Sequence, residues 1–297
     1  LGYEGNESID INISSFKQNF LNIVSRYDIS SSNFLLGIYG AYALSLNQDL
    51  SKKKVFFHHI HHHSRLERYF KDFPNSKIIS MTRDPRANIV SGYLHHSAYN
   101  PQSMGGSHQY FYIKRILEDS SVLKKFTQNY ISVRIEDLGN ESLLRGLSKW
   151  MKIDYDETLK RSTWGGMIWN GDRLSKKTDT KGKFSKDILN NKWGEYLTKK
   201  DKYIFNFLMN DRLKYYGYAY KKKSIISYII VPILVFFPLR YEKKMLSIAH
   251  NLSLIKRKKF KIVFSNLISF GKRVILFLEY YFKNNKKLIY NSLQPEK

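Results

Sequence analysis

The hydrophobic positions of this chain change period several times, and each change marks an element. Phe16, Phe20, Ile23 and Val24 recur at helical spacing. Phe34 to Leu46 is a second apolar helical run, with Ser30, Ser31 or Ser32 to cap it. Val55-Phe56-Phe57 reads as the start of a strand that runs into His58, His59, His61, His62 and His63. Ser64 to Phe73 returns to a helical pattern. Lys77-Ile78-Ile79-Ser80-Met81 is short and apolar, as a buried strand is. Asp84 is then a good N-cap, and Pro85 suits the first helical position, where a missing N–H is no loss. The pattern predicts a strand that ends at Arg83 and turns at once into a helix carrying Ser91 about two turns on. Tyr110 to Phe126 predicts a helix and Tyr130 to Arg134 a strand. Glu141 to Met151 and Glu157 to Arg161 read as short helices, and polar, Gly-containing Thr163 to Asn191 as mostly loop. Trp193 to Tyr215 reads as a last helix stopped near Gly217. Strands alternating with helices predict an α/β fold with a mostly parallel sheet.

The last quarter is a different kind of sequence. Ser224 to Leu239 is nearly all apolar, is interrupted by Pro232 and Pro238, and is flanked by Lys221, Lys222 and Lys223 and by Arg240, Lys243 and Lys244. About 20 apolar residues are needed to span a bilayer, so this run is short for a crossing. Lys256-Arg257-Lys258-Lys259 and an amphipathic stretch from Phe260 to Phe282 follow. The chain therefore divides, on pattern, into an α/β domain at 1–220 and a basic helical tail at 221–297. Basic flanks around apolar faces fit a tail lying on an anionic membrane surface at its cytoplasmic face; a helical extension packed on the domain is the alternative.

Charge sharpens that division. The formal net charge is +25, from 50 Lys and Arg against 25 Asp and Glu. Residues 221–297 hold 17 of the basic residues and 3 of the acidic ones. Such a balance implies anionic partners: a phosphorylated cofactor, an acidic lipid surface or nucleic acid. There is no cysteine, which excludes disulfides, a disulfide-stabilised secreted protein and thiolate metal sites.

An arginine at the C-terminal end of a strand, with a hydroxyl on the next helix, is a natural anion clamp. Parallel sheets bind ligands outside those strand ends. On the local pattern alone, a capped and solvated helix start reads equally well. Order along the chain favours the clamp. Arg83, the Asp84-Pro85-Arg86 turn and Ser91 eight residues after Arg83 follow a strand ending in Phe57-His58-His59-Ile60-His61. Val133-Arg134-Ile135-Glu136-Asp137-Leu138 comes next. Ser162-Thr163-Trp164-Gly165-Gly166-Met167-Ile168-Trp169, then Lys181-Gly182, Trp193 and Gly217-Tyr218 complete the series. Over about residues 50–220 this ordered set resembles the sulfotransferases that use 3'-phosphoadenosine 5'-phosphosulfate (PAPS).

The resemblance implies a P-loop-type three-layer fold and transfer of a sulfuryl group from PAPS to a hydroxyl or amine acceptor. A glycan or lipid is the favoured acceptor. It implies that Arg83 and Ser91 bind the 3'-phosphate, that Lys181 and Gly182 belong to a loop covering the cofactor, and that no metal is required. His61, 22 residues before Arg83, stands at the family's catalytic histidine and is the first candidate base. His59 takes the place of a lysine that steadies the bridging oxygen. Read from the residues alone, His59, His61 and His63 also fit an imidazole metal site, or simply packed or exposed histidines. The chain departs from the family at Ile135, where a tyrosine often stands, and at Thr180, where an arginine often does. The family's Ser/Gly/Thr-rich 5'-phosphosulfate loop has no counterpart in residues 1–50, which, with Leu1 in place of Met, points to a chain cut short before it. A basic polyanion- or nucleic-acid-binding protein without catalysis is the alternative function. It explains the charge but not the spacing of Arg83 and Ser91, and no specific nucleic acid is expected. A nucleotide kinase-like relative would need a Walker lysine or acidic metal ligands, neither of which the sequence displays.

Overall fold

The computed structural model of the chain describes residues 7–52, 57–59, 65–99, 106–118, 128–164, 167–169 and 193–282. The described residues are mostly helical, with a small parallel sheet of two strands, β1 (Ile78–Thr82) and β2 (Tyr130–Arg134). The larger central sheet that the sequence pattern predicts is not among them. Val55 and Phe56, its expected first strand, lie outside the described residues. Phe57, His58 and His59 are described, are exposed and belong to no strand. Aromatic packing takes the place of sheet pairing there: the His58 ring stacks on Tyr69 with centroids 6.0 Å apart, and its Nδ1 is 3.1 Å from the Tyr39 hydroxyl.

By its internal contacts the chain falls into two compact units, one of residues 1–78 and 144–184, the other of residues 79–143 and 185–297. This is not the division at 220 that composition predicts. In the first unit, α1 (Ile13–Val24) and α2 (Ser31–Ser45) pack together through Phe20 and Phe34, whose rings meet edge to face at 5.2 Å. Asn12 and Ser30 cap them by accepting the backbone N–H groups of Ser15 and Asn33. The unit also holds α3 (Leu66–Asp72) and most of α6 (Glu141–Met151). Trp150 of α6 receives the Lys77 ammonium on its ring at 4.8 Å. Thr163–Trp164 (β3) and Met167–Ile168 (β4) pair antiparallel, so a hairpin opens the segment expected as loop.

The second unit is built around α4 (Pro85–Tyr99), α5 (Gly106–Glu118) and seven helices from its C-terminal part. These are α7 (Trp193–Tyr196), α8 (Lys199–Leu208), α9 (Asn210–Tyr215), α10 (Ile225–Val235), α11 (Arg240–Leu246), α12 (Ile248–Lys256) and α13 (Phe260–Phe282). The single helix expected over Trp193 to Tyr215 is thus three. Thr198 and Asp201 form a capping box that starts α8 afresh, and Met209, near φ −107° and ψ 11°, leaves helical geometry before α9.

Residues 221–282 contribute side chains to the core of the second unit. Val231, Val235, Leu239 and Phe277 are fully buried in the same hydrophobic core as Ile89 and Val90 of α4 and Ile204 and Phe205 of α8. Composition predicts a basic helical extension, and one side of α10 and of α13 is packed into this core. Ile225–Lys243 is the one stretch among the described residues long and apolar enough to cross a membrane by length and composition, and about a third of it is buried. Close packing also fixes Gly92 of α4: a Cβ there would lie 2.1 Å from the ring of Tyr112 on α5.

Candidate functional site

β1 delivers Arg83 to the start of α4, as the sequence predicts. Asp84 caps the helix: its carboxylate accepts the Arg86 backbone N–H at 2.9 Å, and its carbonyl accepts from Asn88 at 2.9 Å. The same carboxylate binds the Arg86 side chain twice, Nε at 3.0 Å and Nη2 at 2.7 Å. Arg86 is completed by Asn206 Oδ1 at 2.7 Å and by the Trp193 ring beneath its guanidinium at 4.3 Å. The pair is buried, and every contact belongs to the scaffold. A buried pair of this kind holds its geometry because losing one partner strands the other's charge.

Glu136, just past β2, ties the two strand ends together. One oxygen accepts the Asp84 backbone N–H at 3.1 Å and the other the Tyr218 hydroxyl at 3.0 Å. Burial, reinforced by the neighbouring carboxylate, raises the Tyr218 pKa well above the ordinary tyrosine value, so the phenol stays a donor to Glu136. Arg134, at the end of β2, donates to Asp137 at 2.9 Å and to the Tyr216 carbonyl at 2.8 Å, and faces the Tyr218 ring at 5.1 Å. Gly217, at φ 70°, makes the turn that brings Tyr216 and Tyr218 to these partners. Arg212 of α9 reaches the end of β1 from below, donating to the Ile116 carbonyl at 2.6 Å and to Thr82 Oγ1 at 3.3 Å.

Against this background Arg83 stands apart. It is half-buried, its Nε is buried without a partner, and it makes no hydrogen bond, ion pair or ring contact with a described residue. Arg212 also leaves its Nε unbonded, but both its terminal nitrogens are used. Buried donors are nearly always satisfied, and an orphaned one asks for a partner from outside the chain. Among the described residues around it, Arg86 binds Asp84 and Arg134 binds Asp137, Glu136 accepts from Asp84 and Tyr218, and Arg212 meets only neutral acceptors; with Arg83 these are four arginines to three carboxylates, a formal excess of positive charge. Ser91 is exposed on α4, seven residues after the Asp84 cap and so on the same face of the helix as that cap. The arrangement can receive an anion: a fork of donors at a strand end, a helix N-terminus beside it, and a free hydroxyl further along.

His59 is exposed and belongs to the first unit, whereas Arg83 and Ser91 belong to the second. His61, Lys181 and Gly182 lie outside the described residues, as does His63. Arg134 is an internal strut. Glu136, Tyr218 and Asn206 are the residues that sequence reading missed or left undecided, and Glu136 had the one usable signal: a carboxylate just after a strand that ends beside another. No family model, no curated protein and no solved structure matches this chain.

Proposed function

We propose that the chain is a PAPS-dependent sulfotransferase in which Arg83, assisted by Ser91, binds the 3'-phosphate of the cofactor. The observation that carries the reading is the half-buried Arg83 guanidinium, with its Nε orphaned, at the end of the half-buried strand β1 where the neighbouring arginines are engaged. A phosphate fits that donor set: it accepts a guanidinium fork in two parallel bonds and takes a serine hydroxyl on a third oxygen. The resemblance in motif order selects a 3'-phosphate among phosphates. The reading extends to the fold, with β1 and β2 as neighbouring strands of a larger parallel sheet of the three-layer, P-loop type.

Bound PAPS would supply an activated sulfuryl group. The chain's part is to bind, orient and remove a proton. Arg83 neutralises the phosphate, and the Asp84–Arg86–Asn206 and Glu136–Tyr218 networks hold the backbone around it still. Excess positive charge at the strand end favours the dianion over neutral ligands. The base is assigned to His61, with His59 as its neighbour on the chain, and the acceptor is a hydroxyl or amine, foremost of a glycan or lipid. Isothermal titration with adenosine 3',5'-bisphosphate and with adenosine 5'-monophosphate tests the reading. The bisphosphate should bind about tenfold or more tightly, the worth of one charge-assisted phosphate clamp. Equal affinity for the two would contradict it. Labelled sulfate moving from PAPS to a hydroxylated acceptor would place the activity itself.

A further inference from the structure

We propose that the second unit docks on an anionic lipid bilayer through the outward face of its C-terminal helices, with α10 lying in the headgroup plane rather than crossing the membrane. Length and composition alone would let Ile225–Lys243 cross. The packing forbids it. Val231, Val235 and Leu239 are fully buried in the core. Beyond them, buried Glu242 accepts the Leu239 backbone N–H at 2.8 Å and binds Arg273 at 2.7 and 3.0 Å. A crossing would strip one side of α10 from the core and carry an ion-paired carboxylate into hydrocarbon. The helix itself has 11 residues, about 16 Å, roughly half the thickness of a hydrocarbon layer.

The other side of α10 is apolar and faces outward. Ile225, Ile229 and Ile233 are 84%, 64% and 57% exposed, and Phe236 continues the arc at 59%. α13 runs antiparallel beside it, since Tyr281 donates to the Tyr228 carbonyl while Arg273 donates to that of Val235. α13 has its own outward stripe, with Phe264 69% and Ile275 66% exposed. Large apolar side chains exposed in this number on two adjacent helices are uncommon on a free soluble face. Lys221 and Lys222 precede α10 in the chain and Lys243 follows it, and all three are exposed. Apolar residues bounded by lysines match the boundary between acyl chains and acidic headgroups. Charge also selects the occupant. Residues 221–297 carry 17 basic and 3 acidic residues, so two copies placed face to face would oppose cation to cation, while an acidic bilayer supplies the missing counter-charge.

The inference stands apart from the cofactor reading, because vesicle binding needs neither Arg83 nor Ser91. Flotation of the full chain with phosphatidylcholine vesicles, with and without phosphatidylserine, tests it. Binding should be about tenfold or more stronger with phosphatidylserine and should fall with added salt. The double variant Ile229→Asp/Ile233→Asp should lose binding about tenfold or more with an unchanged unfolding midpoint, since both side chains face outward. Lys221→Gln/Lys222→Gln/Lys243→Gln should lose the phosphatidylserine preference and serves if the aspartates disturb folding. Failure to float, or variants that float like the parent, would overturn the proposal. So would bound protein that resists alkaline extraction, which would mean a crossing. A stable dimer that ignores vesicles and is split by the Ile229 and Ile233 changes would assign the face to a second copy.

Discussion

Arg273 and Arg83 belong to the same unit and meet opposite treatment. Arg273 is 1% exposed, gives two hydrogen bonds to Glu242 and others to the carbonyls of Val235 and Phe237, and lies between the Phe270 and Phe277 rings. Arg83 is half-buried and has none of this. In one region a cation is sealed in by partners from the chain; in the other the chain builds everything around a cation and leaves it unbonded. A guanidinium fully bonded within the fold is spent on holding elements together. One left open at a strand end is available for a ligand. The same contrast recurs within one helical turn, between Arg86, closed on Asp84 and Asn206, and Arg83.

Substitutions can break or sharpen that contrast. The largest effect should come from Arg273→Ala, which strands Glu242 in the core and should destabilise the protein by about 3–5 kcal/mol in urea unfolding. A change of under about 1 kcal/mol would show that the sealed arginine is not holding α10, α11 and α13 together. Next is Tyr218→Phe, which takes a donor from Glu136 and should cost about 1–2 kcal/mol at neutral pH. It also carries a pH signature. The folded pKa of Tyr218 is raised above its unfolded value, so its contribution is intact below about pH 10 and lost as pH climbs beyond. Stability of the parent should fall above that pH, and less steeply in Tyr218→Phe; buried Tyr216 and Tyr241, raised by the same cause, keep some of the slope. The smallest effect is Ser91→Ala: stability within about 0.5 kcal/mol, as for an exposed surface position, and bisphosphate affinity reduced about threefold to tenfold by the loss of one hydrogen bond.

Local features were legible. Asp84 and Pro85 announce the start of α4, Tyr130 to Arg134 is β2 as read, and Glu141 to Met151 is α6. Each is set by neighbours in sequence, through capping, a fixed φ or a short apolar run. What supports Arg83 was not legible, because its supports come from far along the chain: Tyr218 meets Glu136 across 82 residues, and Asn206 meets Arg86 across 120. The place of the C-terminal helices was hidden for another reason. In a run as uniformly apolar as Ile225 to Val235, the buried spacing of Val231 and Val235 has no polar background to stand out from, and charge then dominated the reading. At His58 the sequence predicts a strand, and the ring meets Tyr39 and Tyr69.

The central claim, that Arg83 is kept open for a phosphate, is tested most directly by titrating adenosine 3',5'-bisphosphate into the parent protein and into Arg83→Ala. The account predicts a loss of about 10- to 100-fold in affinity, the worth of a charge-assisted bidentate contact, with the affinity for adenosine 5'-monophosphate and the unfolding midpoint unchanged. Bisphosphate binding to Arg83→Ala as tight as to the parent would contradict it.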